Sequence, residues 1–185
     1  RSLSSSHETA VGEQSTINLP DGSKVTLNTD TRIKVKYSPA ERNIILLSGE
    51  GYFEVASNPN RPFRVQVENN IVQAIGTAFN VNYSQSASLK VTVTEGVVKL
   101  VSPPKLKQLL SGSLREESII KSGQHATLAE AEDHQLETVS EIQLSKKLAW
   151  KQGMIIFERE PLSQVLKEFS RYTLEKFILA EPDME

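Results

Sequence analysis

The sequence predicts a mainly β protein, and three observations carry that prediction. Short runs rich in Val, Ile and Thr recur from Ser15 onward, turn residues separate them at intervals of roughly 8 to 12 residues, and helical periodicity is nearly absent before Pro161. This rhythm fits a sandwich or a short-runged β-solenoid.

Residues 1–13 are polar and Ser-rich, lack the apolar centre of a signal peptide, and are expected to form a leader or linker. Because Arg1 rather than Met comes first, we read the chain as a piece of something longer. The first hairpin is expected at Thr16–Leu19 and Lys24–Leu27, joined by Pro20-Asp21-Gly22-Ser23, in which Pro presets φ and Gly accepts a tight turn. Thr31 to Tyr37 alternates basic or polar with apolar residues, the pattern of a strand with one wet face. Asn43 to Leu47 is largely apolar and is expected to be buried on both faces. Gly49 and Gly51 suggest a bulge or a close backbone crossing before a further strand in the segment that ends at Val55.

Asn58-Pro59-Asn60-Arg61-Pro62 reads as a rigid turn into a strand at Phe63–Val67, followed by Ile71–Ile75 and Thr77–Tyr83 with Gly76 between them. Leu89–Val93 and Val97–Val101 flank Thr94-Glu95-Gly96, which predicts a hairpin. Residues 103–117 interrupt the pattern as an insertion whose Leu106, Leu109, Leu110 and Leu114 form a satellite core or a docking patch. Ile119 to Leu128 resumes strand-turn-strand, and Leu136 to Leu144 reads as a link. A boundary near Lys146 then leads to a strand at Met154–Phe157, a helix opening at Pro161 with Leu162, Val165, Leu166, Phe169 and Tyr172 on one face, and a strand at Phe177–Leu179. The chain thus divides into a leader (1–13), a β-domain (14–145, with the insertion at 103–117) and a partial α+β (β-α-β) unit (146–185).

Charge and composition narrow the function. A net charge of −2 from 21 basic and 23 acidic residues, interspersed along the chain, offers no field for nucleic acid or an anionic membrane. With no cysteine there are no disulfides, thiolate metal sites or cysteine nucleophiles. The longest apolar runs, such as Ile44–Leu47, are far below the ~20 residues that span a bilayer.

No catalytic or cofactor constellation emerges from spacing. His7, His125 and His134 read as surface histidines without metal-type spacing, in a leader, a turn and a polar loop. Gly49-Glu50-Gly51 lacks the third glycine and the lysine of a phosphate loop. Glu50, Glu54 and Glu95 are scattered acids with no assigned role. We therefore expect a non-enzymatic protein with no cofactor and no metal. One bond stands apart: if Gly76-Thr77 is strained, the Thr77 hydroxyl can attack the Gly76 carbonyl, although a plain bulge also explains the pair.

Five ordered segments carry a family resemblance. Leu19-Pro20-Asp21-Gly22-Ser23-Lys24-Val25-Thr26-Leu27-Asn28, Leu47-Ser48-Gly49-Glu50-Gly51-Tyr52-Phe53-Glu54-Val55, Arg61-Pro62-Phe63-Arg64-Val65, Ala74-Ile75-Gly76-Thr77-Ala78-Phe79-Asn80-Val81 and Val93-Thr94-Glu95-Gly96-Val97-Val98 resemble, in order and spacing, the blocks of FecR-type sigma-factor regulators. Leu148 to Phe157 and Pro161 to Tyr172 are similar to the tail of such proteins, where a short secretin-and-TonB-type domain begins.

The resemblance implies a single-pass inner-membrane anti-sigma regulator, of which this chain is the periplasmic segment. It would meet the signalling domain of a TonB-dependent outer-membrane receptor, often one for ferric siderophores, and would reach its sigma factor through a cytoplasmic region absent from this chain. Ile155, Phe157, Leu162 and Phe169 are the expected partner-binding residues. The resemblance also raises the interest of Gly76 and Thr77, because some members cleave themselves at such a bond. Two rival readings remain: an extracellular carbohydrate-binding or adhesive β-domain, disfavoured by 6% aromatic content, and a self-processing precursor cleaved at Gly76-Thr77.

Overall fold

The computed structural model describes residues 3–84, 88–103, 116–128 and 135–177. The strands are β1 (Leu3–Glu8), β2 (Ser15–Asn18), β3 (Lys24–Leu27), β4 (Arg32–Tyr37), β5 (Arg42–Glu54), β6 (Phe63–Val67) and β7 (Asn70–Ala74). They continue as β8 (Ala78–Ser84), β9 (Ser88–Glu95), β10 (Val97–Ser102), β11 (Glu116–Lys121), β12 (Gln124–Leu128) and β13 (Gln135–Thr138). The hydrogen-bonded path runs β11-β10-β7-β6-β5-β8-β9-β12-β13, with β4 and β3 pairing different stretches of β5. Only β5–β6 is parallel among the described pairings.

β5 turns this path into two layers. Its Arg42–Ser48 stretch pairs with β4 and β6, whereas Gly49–Glu54 pairs with β3 and β8. The change of layer falls at Gly49, where φ is 92° and an added Cβ would stand 2.5 Å from the Thr31 Cα. Only a residue without a side chain fits this bend. The two expected strands are therefore one bent strand.

Between the layers lies one core, containing Val25, Leu27, Ile33, Val35, Ile44, Phe53, Phe63, Phe79, Val91, Leu100 and Ile120. Phe53 stacks on Phe79 at 5.2 Å and meets Phe63 edge-on at 6.0 Å, joining residues of both layers. Truncating such a buried ring costs about 3–5 kcal/mol. The sandwich alternative to a solenoid is thus the one the layers form, and the Pro20–Ser23 turn and the β4 alternation are both as expected.

Several local expectations differ. Leu3–Glu8, expected to be leader, pairs along β4 from Leu3↔Tyr37 to Glu8↔Arg32. Serines on both faces hide its period, and main-chain bonds hold it as an edge strand. Asn43–Leu47 is not buried on both faces: Ile44 and Leu46 point inward, while Leu47 is 40% exposed. The outer face of this layer is open to water. β9 and β10 do not form a hairpin with each other, because β9 pairs with β8 and β12, and β10 with β7 and β11. The Glu95-Gly96 corner instead carries the chain from one layer to the other. A second corner at Ser122-Gly123 bonds to it through Ser122 N–H to the Gly96 carbonyl and Gly123 N–H to the Val93 carbonyl.

After β13 come α1 (Glu141–Leu148), a 3₁₀ turn (Ala149–Gln152) and α2 (Leu162–Phe169). α1 lies across the expected boundary and begins with a capping box, the Ser140 hydroxyl accepting from Gln143 N–H while the Gln143 side chain accepts from Ser140 N–H. Met154–Phe157 joins no ladder, so the expected β-α-β unit lacks its first strand. Side-chain packing against α2 replaces pairing there, with the Phe157 and Phe169 rings 5.5 Å apart. Most of the insertion (104–115), His134, and residues 178 and 179 of the expected last strand lie outside the described residues. No helix among the described residues is long and apolar enough to cross a membrane.

Candidate functional site

A cleft of about 410 Å³ lies where the C-terminal segment crosses the outer face of β8, β9 and β12. Asn80, Thr92 and His125 form its floor, and Trp150, Ile155 and Phe157 contribute to its wall. The floor is polar because these positions face away from the interlayer core, yet each is at most 4% exposed beneath the segment.

Glu50 organises this region. Its Oε1 accepts from Asn80 Nδ2 at 2.8 Å, and its Oε2 accepts from Asn28 Nδ2 at 2.9 Å and from Arg171 Nη2 at 2.5 Å. Burial disfavours the Arg171 charge, but the carboxylates of Glu50 and Glu168 override that penalty and raise its pKa above the ordinary arginine value. Next to Arg171, the Tyr172 hydroxyl accepts from Asn28 Nδ2 at 2.8 Å, and burial raises the Tyr172 pKa. Tyr52, Ala78 and Trp150 make a second, apolar cluster, with the Lys151 ammonium 3.3 Å from the centre of the Tyr52 ring.

His125, expected on the surface, lies in β12 with 4% exposure. Its Nδ1 is 2.7 Å from the Thr92 hydroxyl, and its Nε2 is 3.3 Å from that of Thr127. Burial, reinforced by Lys147 and Lys90, pushes its pKa down to about 4. His7 lies in β1 with its Nε2 2.9 Å from the Ser5 hydroxyl. The described residues contain no group of three metal-ligating side chains.

Gly76-Thr77 sits between β7 and β8, gripped on both sides. Asn58 N–H donates to the Ile75 carbonyl at 3.0 Å and Val55 N–H to the Thr77 carbonyl at 2.9 Å. Ser57 closes one side, since a Cβ on Gly76 would lie 2.7 Å from the Ser57 Cβ; a Cβ on Gly96 would reach within 2.8 Å of the Thr77 methyl and 3.2 Å of the Gly76 carbonyl oxygen. The Thr77 hydroxyl is buried without a hydrogen-bond partner among the described residues.

Of the expected partner-binding residues, the structure joins Phe157 with Phe169, half-buries Ile155 along the cleft, and leaves Leu162 38% and Phe169 42% exposed on α2. Trp150 is buried at 4%, so it offers no stacking face to a sugar. Sequence reasoning missed the role of Glu50 and did not single out Asn28, Asn80 or Arg171. Their sequence separations from Glu50, from 22 to 121 residues, leave no local spacing signal.

Fold and cleft define a two-layer β scaffold with a helical appendage docked on one face. A family model described as FecR protein matches residues 5–99. The chain belongs to the FecR family, a class of sigma-factor regulators, as the ordered blocks implied. Two crystal structures of a candidate anti-sigma factor from Parabacteroides distasonis ATCC 8503 share the fold, with TM-scores of 0.75 and 0.74. They are 24% and 23% identical to this chain over 92% and 91% of its length, and 75% and 74% of theirs. No curated protein matches the sequence.

Proposed function

We propose that the chain is the periplasmic signalling portion of a membrane-anchored anti-sigma regulator, non-enzymatic toward other molecules, which receives its signal from a TonB-dependent receptor in iron-siderophore uptake. The observation that carries this reading is the pairing of a FecR scaffold with a C-terminal segment that exposes apolar side chains, Met154, Ile156, Leu162 and Phe169 being 46, 41, 38 and 42% exposed. Met154–Phe157 pairs with no strand, and we read it as a segment available for strand addition, in which main-chain bonds supply affinity and side chains supply selectivity. Immobilised receptor signalling domain should retain the whole chain and lose it when residues 148–185 are removed. Equal retention of both would sink the assignment of the binding face.

A second reading, cleavage at Gly76-Thr77, is favoured by the unpartnered Thr77 hydroxyl. The Thr77 oxygen attacks the Gly76 carbonyl carbon, the C–N bond breaks, and the hydroxyl proton ends on the freed Thr77 amine, leaving an ester. Water then hydrolyses the ester to a Gly76 carboxylate and the restored hydroxyl. Mass spectrometry of fresh protein should find fragments ending at Gly76 and starting at Thr77 that vanish in Thr77→Ala; an intact wild-type mass rejects this reading.

A further inference from the structure

We propose that the segment from Trp150 to Tyr172 is a releasable strap, with Glu50 and Arg171 as its clasp, so that the buried polar face of Glu50, Asn28 and Asn80 has a covered and an uncovered state. What would pull the strap rests on the reading that its outer face meets a partner; the clasp itself follows from the contacts.

The strap meets the sheet at its two ends, while its middle is tied to α1, where Lys146 Nζ donates to Glu160 Oε1 at 2.5 Å. No residue of α2 is fully buried, so the helix does not hold itself to the sheet through a core of its own. At one end Trp150 packs on Tyr52 and Ala78, and its carbonyl accepts from Gln14 Nε2 at 2.8 Å. At the other, the Arg171 guanidinium meets Glu50, the Arg171 carbonyl accepts from the Thr29 hydroxyl at 2.8 Å, and Tyr172 meets Asn28. A structural helix would normally bury an apolar stripe. This one is tied down at its ends instead, by Trp150 and Tyr172 packing on the Tyr52–Ala78 cluster and by polar contacts that water can replace.

The clasp also leaves no orphan when it opens. A buried ion pair normally resists opening because each charge loses its only partner. Here Glu50 keeps two amide donors, Asn28 on Oε2 and Asn80 on Oε1, while Arg171 keeps Glu168, whose Oε1 is 2.6 Å from its Nη1. Each partner therefore has a second arrangement already in place. That is the property expected of a two-state contact rather than a permanent staple.

Amide hydrogen exchange of the intact purified chain tests the clasp. Arg171→Gln should accelerate exchange in peptides from 154–172 by roughly 5- to 30-fold, the range for losing one well-made contact, and leave peptides from β6 to β9 unchanged. Glu50→Gln should open the strap as well, with a further local effect at Asn28 and Asn80, which it also holds, and the double variant should open the strap no further than Glu50→Gln alone, because both remove one shared interaction. Additive effects, unchanged exchange in the strap, or acceleration spread evenly through β5 and β8 would each overturn the proposal. The last would make the strap part of the cooperative core. Because no receptor enters this experiment, failure of the clasp and failure of the docking reading remain separate results.

Discussion

Arg42 and Asp21 form an ion pair at 2.8 Å in which the arginine side chain is fully buried and the aspartate side chain is 9% exposed. The guanidinium does more than neutralise a charge, because its Nε donates to the Arg61 carbonyl at 2.6 Å and its Nη1 to the Ala56 carbonyl at 2.8 Å. One side chain thus ties the β2–β3 turn to the loop entering β6. Removing one member strands the other, at a cost of about 3–5 kcal/mol. We expect Arg42→Met to lower the urea midpoint sharply, with a larger loss than Lys24→Met, whose ion pair with Glu54 is exposed and worth at most about 1 kcal/mol.

The same pair sets an acid limb. Burial works to raise the Asp21 pKa, but hydrogen bonds from Arg42 and Ser23 outweigh it and leave the value lowered. A lowered folded pKa gives stability that is present above the unfolded value of about 3.9 and is lost as pH falls through the folded one. Wild type should lose this part of its stability below about pH 4. Asp21→Asn should start less stable and show a flatter acid limb in denaturation curves measured from pH 5 down.

His125 produces a second pH dependence, higher on the scale. Its folded pKa of about 4 lies below the ordinary 6.5, so between these values the unfolded chain binds a proton that the folded chain refuses. Stability is therefore complete above about pH 6.5 and declines as pH falls toward 4. Between pH 7.5 and 5 the loss should be about 2 kcal/mol at 1.36 kcal/mol per pKa unit. His125→Gln should remove this slope. An imidazole that titrates near 6.5 in the NMR spectrum of the folded protein would contradict the prediction.

Legibility followed the range of the interactions involved. The alternation of Arg32 to Tyr37 and the Pro20–Ser23 turn are local patterns, and both appear where the sequence put them. Ser140-x-x-Gln143 was an equally local signal for the start of α1, yet it stands in a stretch read as a link. β1 was hidden because an edge strand of serines needs no apolar face. The corners at Gly96 and Gly123 could not be told from hairpins, since a tight turn specifies a reversal of direction and not which sheet receives the next strand. The Glu50 network was the least legible part, as Arg171 meets it across 121 residues.

Gly49 can be tested against Gly123, which has a similarly positive φ of 77° but nothing within 4 Å of an added Cβ. Gly123→Ala should cost only the left-handed backbone penalty, about 1–2 kcal/mol. Gly49→Ala meets the Thr31 Cα at 2.5 Å and the Asp30 carbonyl oxygen at 2.7 Å, which are backbone atoms that cannot swing aside. It should cost distinctly more or prevent folding, with both sheets affected because β5 runs through both. Similar urea midpoints for the two variants would mean that the bend at Gly49 relaxes without disturbing the layers.

The face proposed to meet the receptor separates binding from stability. Leu162 is 38% exposed and Phe169 42%, so neither contributes much to the core, although Phe169 also packs on Phe157. Leu162→Asp should change stability by no more than about 0.5 kcal/mol, the usual range for an exposed position. Phe169→Ala should cost about 0.5–1.5 kcal/mol through the lost aromatic pair. If the face docks the receptor's signalling domain, both variants should weaken binding, and Leu162→Asp should do so by tenfold or more, roughly the 1.4 kcal/mol of a modest interface anchor. Titration calorimetry with the receptor domain distinguishes the cases. Wild-type affinity in Leu162→Asp would move the interface off α2, whereas weakened binding by a fully stable variant assigns it there.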